Sequence, residues 1–392
     1  MRRRAPHAVQ VPKSADPEGR RGQAALVTHG IVQRSARRTP SALLNFAGQG
    51  NNCGCSPPDT TGDVGPKHYV QAVNATSIAV YNKAGKMLKG YPKQLKSLWK
   101  NLPGKCDGST EGDPTVLYDP LANRWLLTQF FENGNNGVCI AVSQSGDPTG
   151  YYWLYAFATP AFPDYFKLGV WPNAYYMSTN ETTYTAYALD RARMLQGKSA
   201  IYIRKTGETN FLLPADVDGK TSPGNSAPGL FYTFKDDVTH GGIDSLVVKP
   251  FDPNFHNPTL STFGPATNIP IAPFTYTVCG IFNFDCIPQA GTAQKIDAVS
   301  EWPMQRFAYR KFSDHESLVG NFTVESATAG AAAIRWFELR NTGGGWSLFQ
   351  EGTVDSIDGV SRFMGSIAQD RAGNIGLGYS ISSASMYPSI GY

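Results

Sequence analysis

The stretch Gly112–Phe157, GDPTVLYDPLANRWLLTQFFENGNNGVCIAVSQSGDPTGYYWLYAF, decides the fold. It reads as four short strands, Thr115–Tyr118, Arg124–Phe131, Val138–Ser143 and Tyr151–Phe157. Val, Ile, Thr and aromatic residues fill them, and turn sequences bound them: Asp119–Asn123 (DPLAN), Glu132–Asn136 (ENGNN) and Ser145–Gly150 (SGDPTG). Four antiparallel strands in about 45 residues is the size of one β-propeller blade.

The rest of the chain lays out around this unit. Upstream, His68–Asn74 and Ser77–Asn82 are expected strands, and Leu95, Leu98, Trp99 and Leu102 fall at helical spacing between units. Downstream come Tyr165–Trp171, Ala174–Thr179, Thr183–Leu189 and Ala200–Arg204, interrupted by a helical turn at Arg191–Gly197. A fourth set holds Gly229–Lys235 and Ile243–Pro250, padded by Pro/Gly/Asn-rich segments. A fifth covers Arg306–Phe312, Glu316–Val324, Ala332–Arg340 and Trp346–Val354, and a sixth begins with Arg362–Gln369 and Ile375–Ser382. Unit starts near residues 66, 113, 164, 244, 314 and 363 give a spacing close to 50 where no padding intervenes. The expected fold class is an all-β propeller of about six to seven four-stranded blades, the last truncated. Its domain runs over residues 46–392 behind a flexible basic leader, residues 1–45.

Composition agrees. Gly (40) and Pro (27) are plentiful among 392 residues and charge is low, which suits short strands and tight turns rather than helical bundles. No run of eighteen apolar residues exists, so no membrane span is expected. The net charge of +4 hides an asymmetry: residues 1–40 carry +7, which leaves the remaining 352 at −3. The basic arm reads as a solvated leader, and no nucleic-acid partner is expected. It lacks the apolar centre of a signal peptide, so export would rest on a start further upstream, on a misassigned start codon or on a non-classical route.

Six cysteines point to an oxidising compartment. Cys279 and Cys286 flank a short loop, and Cys106 and Cys139 flank the first hairpin of the organising unit, so both pairs are expected to be close. Cys53 and Cys55 are too near in sequence to bond each other easily, and their connectivity stays open.

Four segments also carry a resemblance. Pro57–Asn74 (PPDTTGDVGPKHYVQAVN), Gly112–Trp125, Asp314–Val324 with Ile334–Arg340, and Phe363–Ile390 resemble a group of large, uncharacterised, secreted bacterial β-propeller proteins. The resemblance implies seven blades and export, and it supplies no activity. Members of that group continue with a further blade where this sequence stops at Tyr392, so a gap beside the His68–Asn82 hairpin is expected.

Candidate chemistry is sparse. Asp63, Asp113, Asp164, Asp244 and Asp314 open successive units. If the first strand of each blade lines the channel, they would ring one mouth and bind Ca²⁺ or a basic ligand. The competing reading is that each caps a turn or accepts N–H groups from the next blade. No G-x-S-x-G elbow, H-E-x-x-H or His-x-His occurs, which argues against serine hydrolases and metal catalysis. Asp113, Glu316, Glu111 and His315 are the weak catalytic candidates, because they would share a mouth. Arg124, Arg310, Arg335 and Arg362 do not suggest a converging anion site. Tyr151, Tyr152, Trp153, Tyr155, Tyr175, Tyr176, Tyr184 and Tyr187 are inter-blade core or a stacking surface. The expected function is a secreted or cell-surface, non-catalytic scaffold for a glycan or protein ligand. The alternative is an extracellular glycoside hydrolase or polysaccharide lyase acting at the channel mouth.

Overall fold

The structure is a computed structural model that describes residues 25–27, 42–52, 57–74, 77–100, 102, 106, 112–132, 134–280 and 284–392. Most of the leader, Cys53, Cys55 and Glu111 lie outside these residues. The fold is all-β, in a propeller arrangement of consecutive antiparallel meanders.

The organising stretch folds as read. Thr115–Asp119, Arg124–Glu132, Asn136–Ser143 and Tyr152–Thr159 form one four-stranded sheet in sequence order. Its first turn is an Asx turn, in which Asp119 Oδ1 accepts the N–H groups of Leu121 (3.0 Å) and Ala122 (2.9 Å), and Asn123 takes a left-handed φ of 56°. The meander before it holds Thr61–Val64, His68–Val73, Ser77–Asn82 and Lys93–Gln94, followed by a 3₁₀ turn at Leu95–Trp99 where helical spacing was seen. The meander after it holds Asp164–Val170, Tyr175–Asn180, Tyr184–Leu189 and Tyr202–Glu208.

The fourth and fifth meanders depart from the expected layout, because they are joined into one ten-stranded sheet. Leu213–Val217 pairs in parallel with Met304–Lys311, with Ala215 opposite Phe307 and Val217 opposite Tyr309. Ala25–Val27, within the stretch expected to be a flexible leader, pairs with Ser347–Asp355 at the other end of this sheet. The sixth meander, Ser361–Gln369, Ile375–Ser383 and Met386–Gly391, has three strands and forms a sheet separate from that of the first.

First strands contact first strands around the molecule. Thr61–Val64 meets Thr115–Asp119, which meets Asp164–Val170, then Leu213–Val217, Met304–Lys311 and Ser361–Gln369. These strands surround the centre, and the hydrophobic cores fill the spaces between successive meanders. Val70, Trp99, Trp125 and Leu127 pack between the first and second; Leu126, Phe166, Tyr175 and Tyr187 between the second and third. The largest core joins the third, fourth and fifth through Tyr176, Phe231, Tyr232, Phe307 and Phe337. Trp125 explains Gly65 in the motif GDVGP: a Cβ there would lie 2.6 Å from the indole ring.

Both expected disulfides are present, Cys106–Cys139 and Cys279–Cys286, with Cα separations of 6.0 and 5.6 Å. No helix among the described residues is long and apolar enough to cross a membrane.

Candidate functional site

The five acids do not form one ring. Asp164 opens the first strand of its meander and Asp113 sits just before the first strand of the preceding one. Asp63 lies inside Thr61–Val64, further along the channel, where its Oδ2 accepts the N–H of Tyr118 (2.7 Å) and its Oδ1 that of Val64 (2.6 Å). Asp244 precedes the third strand of the fourth meander, and its two oxygens are taken by the N–H groups of Asp237 and Phe274, both at 2.7 Å. Asp314 lies on the exposed turn between the first two strands of the fifth. The register slipped at Asp244 because the true innermost strand of the fourth meander, Leu213–Val217, carries Pro214 and Asp216 and does not look like a strand.

Glu316 is also away from the channel. It accepts from Tyr309 Oη (2.6 Å) and Asn341 Nδ2 (3.1 Å), while His315 stacks on Phe312 with ring centroids 4.7 Å apart. The four arginines are each engaged separately or apart from one another, with Arg335 on Glu351 and Arg362 on Asp358. Tyr175, Tyr176 and Tyr187 are core, whereas Tyr151 and Trp153 keep exposed surface.

What converges is a cluster at one mouth, and it is built from a few backbone details. Asn74 ends the second strand of the first meander. Its Nδ2 donates to Pro57 O (2.8 Å) and Asp59 Oδ2 (2.7 Å), and its Oδ1 accepts the N–H of Asp113 (3.1 Å). Gly112 is required for this approach, since a Cβ there would lie 1.9 Å from Asn74 Oδ1. Asp59, Asp113 and Tyr165 all have positive φ, at 38°, 54° and 50°. Asp tolerates this region, but a tyrosine there is strained and must be held by its surroundings. Trp302 and Phe211 hold the Tyr165 ring, at centroid distances of 4.4 and 5.2 Å. The Lys167 ammonium lies 3.6 Å from the centre of the same ring.

The electrostatics follow from crowding. Burial first, then the Asp59 carboxylate hydrogen-bonded to it, push Asp113 up to about 7 against the pull of Lys167. Two carboxyls this close disfavour both being ionised at once. Burial draws the Lys167 ammonium below its usual value, while Asp113, Asp59 and Asp164 oppose the change. Lys167 already supplies a cation to these acids, so a Ca²⁺ would compete with it. Among the described residues, the acids whose oxygens lie within 4.8 Å of one another as a trio are Asp236, Asp237 and Asp244, away from this mouth.

A second charged layer lies further along the channel. Arg306 Nε donates to Asp216 Oδ2 (2.6 Å) and its Nη2 to Asp218 Oδ1 (2.7 Å), while Asp216 Oδ1 accepts the N–H of Val170 (2.8 Å). Asp63 interacts electrostatically with Arg306 and Asp218. Three acids surround one guanidinium, and burial raises Asp216 to about 7 despite Arg306.

Asp59, Tyr165, Lys167, Asp216, Asp218 and Arg306 were missed from sequence. The usable signals were small: Asp59 in PPDTTGD, and the charged residues of DYFKLGV and LPADVD at positions that should be plain strand.

A stability measurement tests the raised Asp113 carboxyl. Between about pH 4 and about pH 7, Asp113 is protonated in the fold and ionised in the unfolded chain, given its ordinary value of 3.8. Its contribution is fully present below pH 4 and is lost as pH rises through about 7. The melting temperature is expected to fall over that window, and Asp113→Asn should flatten the fall. An unchanged slope in the variant would place the titrating proton elsewhere.

No family model matches the chain, and no curated protein matches it. Among solved structures, the chain is similar to a GH43 endo-arabinanase from Bacillus licheniformis at 10% identity, with 85% of this chain and 92% of that chain covered and a TM-score of 0.30. A DUF4623 family protein from Bacteroides eggerthii gives 9% identity, coverage of 84% and 69%, and a TM-score of 0.38. A thermostable family-43 glycoside hydrolase gives 11% identity, coverage of 85% and 86%, and a TM-score of 0.34. These scores are too low to carry an activity or a residue correspondence to this chain.

Proposed function

We propose that this chain is an exported propeller, with each meander serving as one of six to seven blades, and that it binds a glycan at the channel mouth around Asp113. The observation that carries the reading is convergence. Three successive meanders bring the Asp59, Asp113 and Asp164 carboxylates, the Lys167 ammonium and the Tyr165 ring to one place. Carboxylates and an ammonium exchange hydrogen bonds with hydroxyl groups, and a protonated Asp113 can also donate. The two disulfides suit an oxidising, extracellular setting.

An enzyme is the second reading, favoured by the rise of Asp113 to about 7, which suits a general acid. Distance argues against it. Glycosidase carboxyls stand about 5–9.5 Å apart, whereas Asp59 and Asp113 are hydrogen-bonded to each other. The test is calorimetric titration with a panel of soluble polysaccharides, run alongside a reducing-sugar assay. Binding without sugar release is expected, and Asp113→Asn should weaken it about tenfold. Asn tolerates the left-handed backbone, so the variant keeps the fold. Binding that is indifferent to Asp113 would sink the proposed site, and sugar release that Asp113→Asn abolishes would establish the enzyme.

A further inference from the structure

A depression of about 210 Å³ lies on the fifth meander, away from the channel acids. Asp314, His315, Arg340, Thr342, Ser347, Leu348 and Phe349 line it. It forms where two turns of one sheet meet: Glu316, at the start of the second strand, pairs with Asn341, at the end of the third.

Its groups are held in place from behind. Glu338, wholly buried, accepts from Ser317 Oγ (3.1 Å), Gln350 Nε2 (2.6 Å) and Gln369 Nε2 (3.2 Å), and it takes Arg340 Nε at 2.7 Å. The guanidinium lies 3.4 Å over the Phe349 ring, which is still 46% exposed. Among the described residues, no hydrogen bond occupies the terminal nitrogens of Arg340. His315 Nδ1 contacts Asp314 Oδ1 at 2.8 Å, and its Nε2 is buried without a partner. The Asp314 side chain is 79% exposed. The hydrogen bond from His315 holds its carboxyl below the usual range, so it is an acceptor at neutral pH.

We infer that this depression is a subsite for one neutral monosaccharide ring. The inference rests on the glycan-binding reading above and adds a second contact point for such a ligand. Charge excludes an anion as the preferred occupant, because Glu338 balances Arg340 and Asp314 adds a negative charge. A sugar hydroxyl both donates and accepts, so it can donate to Asp314 on one side and accept from the Arg340 nitrogens on the other. Arg340 covers one face of the Phe349 ring, and the exposed remainder of that ring can take the C–H face of a sugar. The volume is below the roughly 300–1,000 Å³ of drug-sized sites, which suits a single ring rather than a chain.

The test uses the full chain and four probes, D-glucose, D-galactose, D-mannose and D-xylose, added separately. Binding is read by calorimetry and by the His315 ring resonances. At least one sugar should shift those resonances, and Phe349→Ala should weaken its binding about tenfold. Asp314→Asn, also on the surface, is the second variant and should weaken it as well. If no sugar shifts His315, or if both variants bind like the parent, the inference fails. Polysaccharide binding that depends on Asp113 but not on Phe349 would overturn the subsite alone. Sugar binding at His315 with polysaccharide binding indifferent to Asp113 would uphold the subsite and overturn the channel-mouth site.

Discussion

Asp119→Ala should destabilise the protein by about 3–5 kcal/mol, the cost of leaving a buried charge without its partner. Asp119 is wholly buried and does two jobs. It closes the DPLAN turn, and it receives Arg191 Nε (2.8 Å), Arg191 Nη2 (3.1 Å) and Tyr175 Oη (2.9 Å) from the third meander. Removing the carboxylate leaves the Arg191 guanidinium buried between two meanders with Pro172 O as its remaining acceptor (3.1 Å). Urea unfolding monitored by tryptophan fluorescence measures the loss. Should Asp119→Ala fail to fold, Asp119→Asn, which keeps the turn acceptor, gives a smaller loss of the same sign. A change below about 1 kcal/mol would mean that the pair behaves like a solvated surface bridge.

The Cys106–Cys139 bond carries a comparable effect. It closes a sequence separation of 33 residues and ties the segment after Leu95–Trp99 to the third strand of the second meander. Both cysteines are fully buried in the same core as Trp99 and Trp125. On the chain-entropy account, a loop of this length stabilises by about 3–4 kcal/mol. The double variant Cys106→Ala, Cys139→Ala should lower the unfolding midpoint accordingly, and a reductant should then lower it further only by the contribution of Cys279–Cys286. An unfolding midpoint equal to the parent's would show that this bond does not constrain the unfolded chain.

Much of this architecture is legible in the sequence, and for a local reason. Asp119–Asn123 and the DRAGN turn each depend on one carboxylate accepting nearby N–H groups, as when Asp370 Oδ1 takes Ala372 (2.8 Å) and Asn374 (2.9 Å). Strands between such turns show period-two patterns or apolar runs, so the second, third and fifth meanders come out within a few residues. Leu213–Val217 did not, because its place is set by non-local pairing with Met304–Lys311. Pro214 and Asp216 are tolerated there: Asp216 finds Arg306 and the Val170 N–H. Missing that strand displaced the expected position of Asp244; Asp314 follows the innermost strand Met304–Lys311 of its meander instead of opening it.

The candidate site divides in the same way. The sequence by itself determined the strand–turn rhythm, the all-β class and the pairing of four cysteines, because each is written in neighbouring residues or short loops. Only the tertiary structure decided that Asp59 lies against Asp113, that Lys167 lies over Tyr165, and that Arg340 rests on Phe349 beside His315. Asp59 and Asp113 come from different meanders, and the Asn74 side chain and the absence of a Cβ at Gly112 bring them together. Charge perturbation depends on burial and on distances across the fold, and neither quantity exists until the meanders have packed.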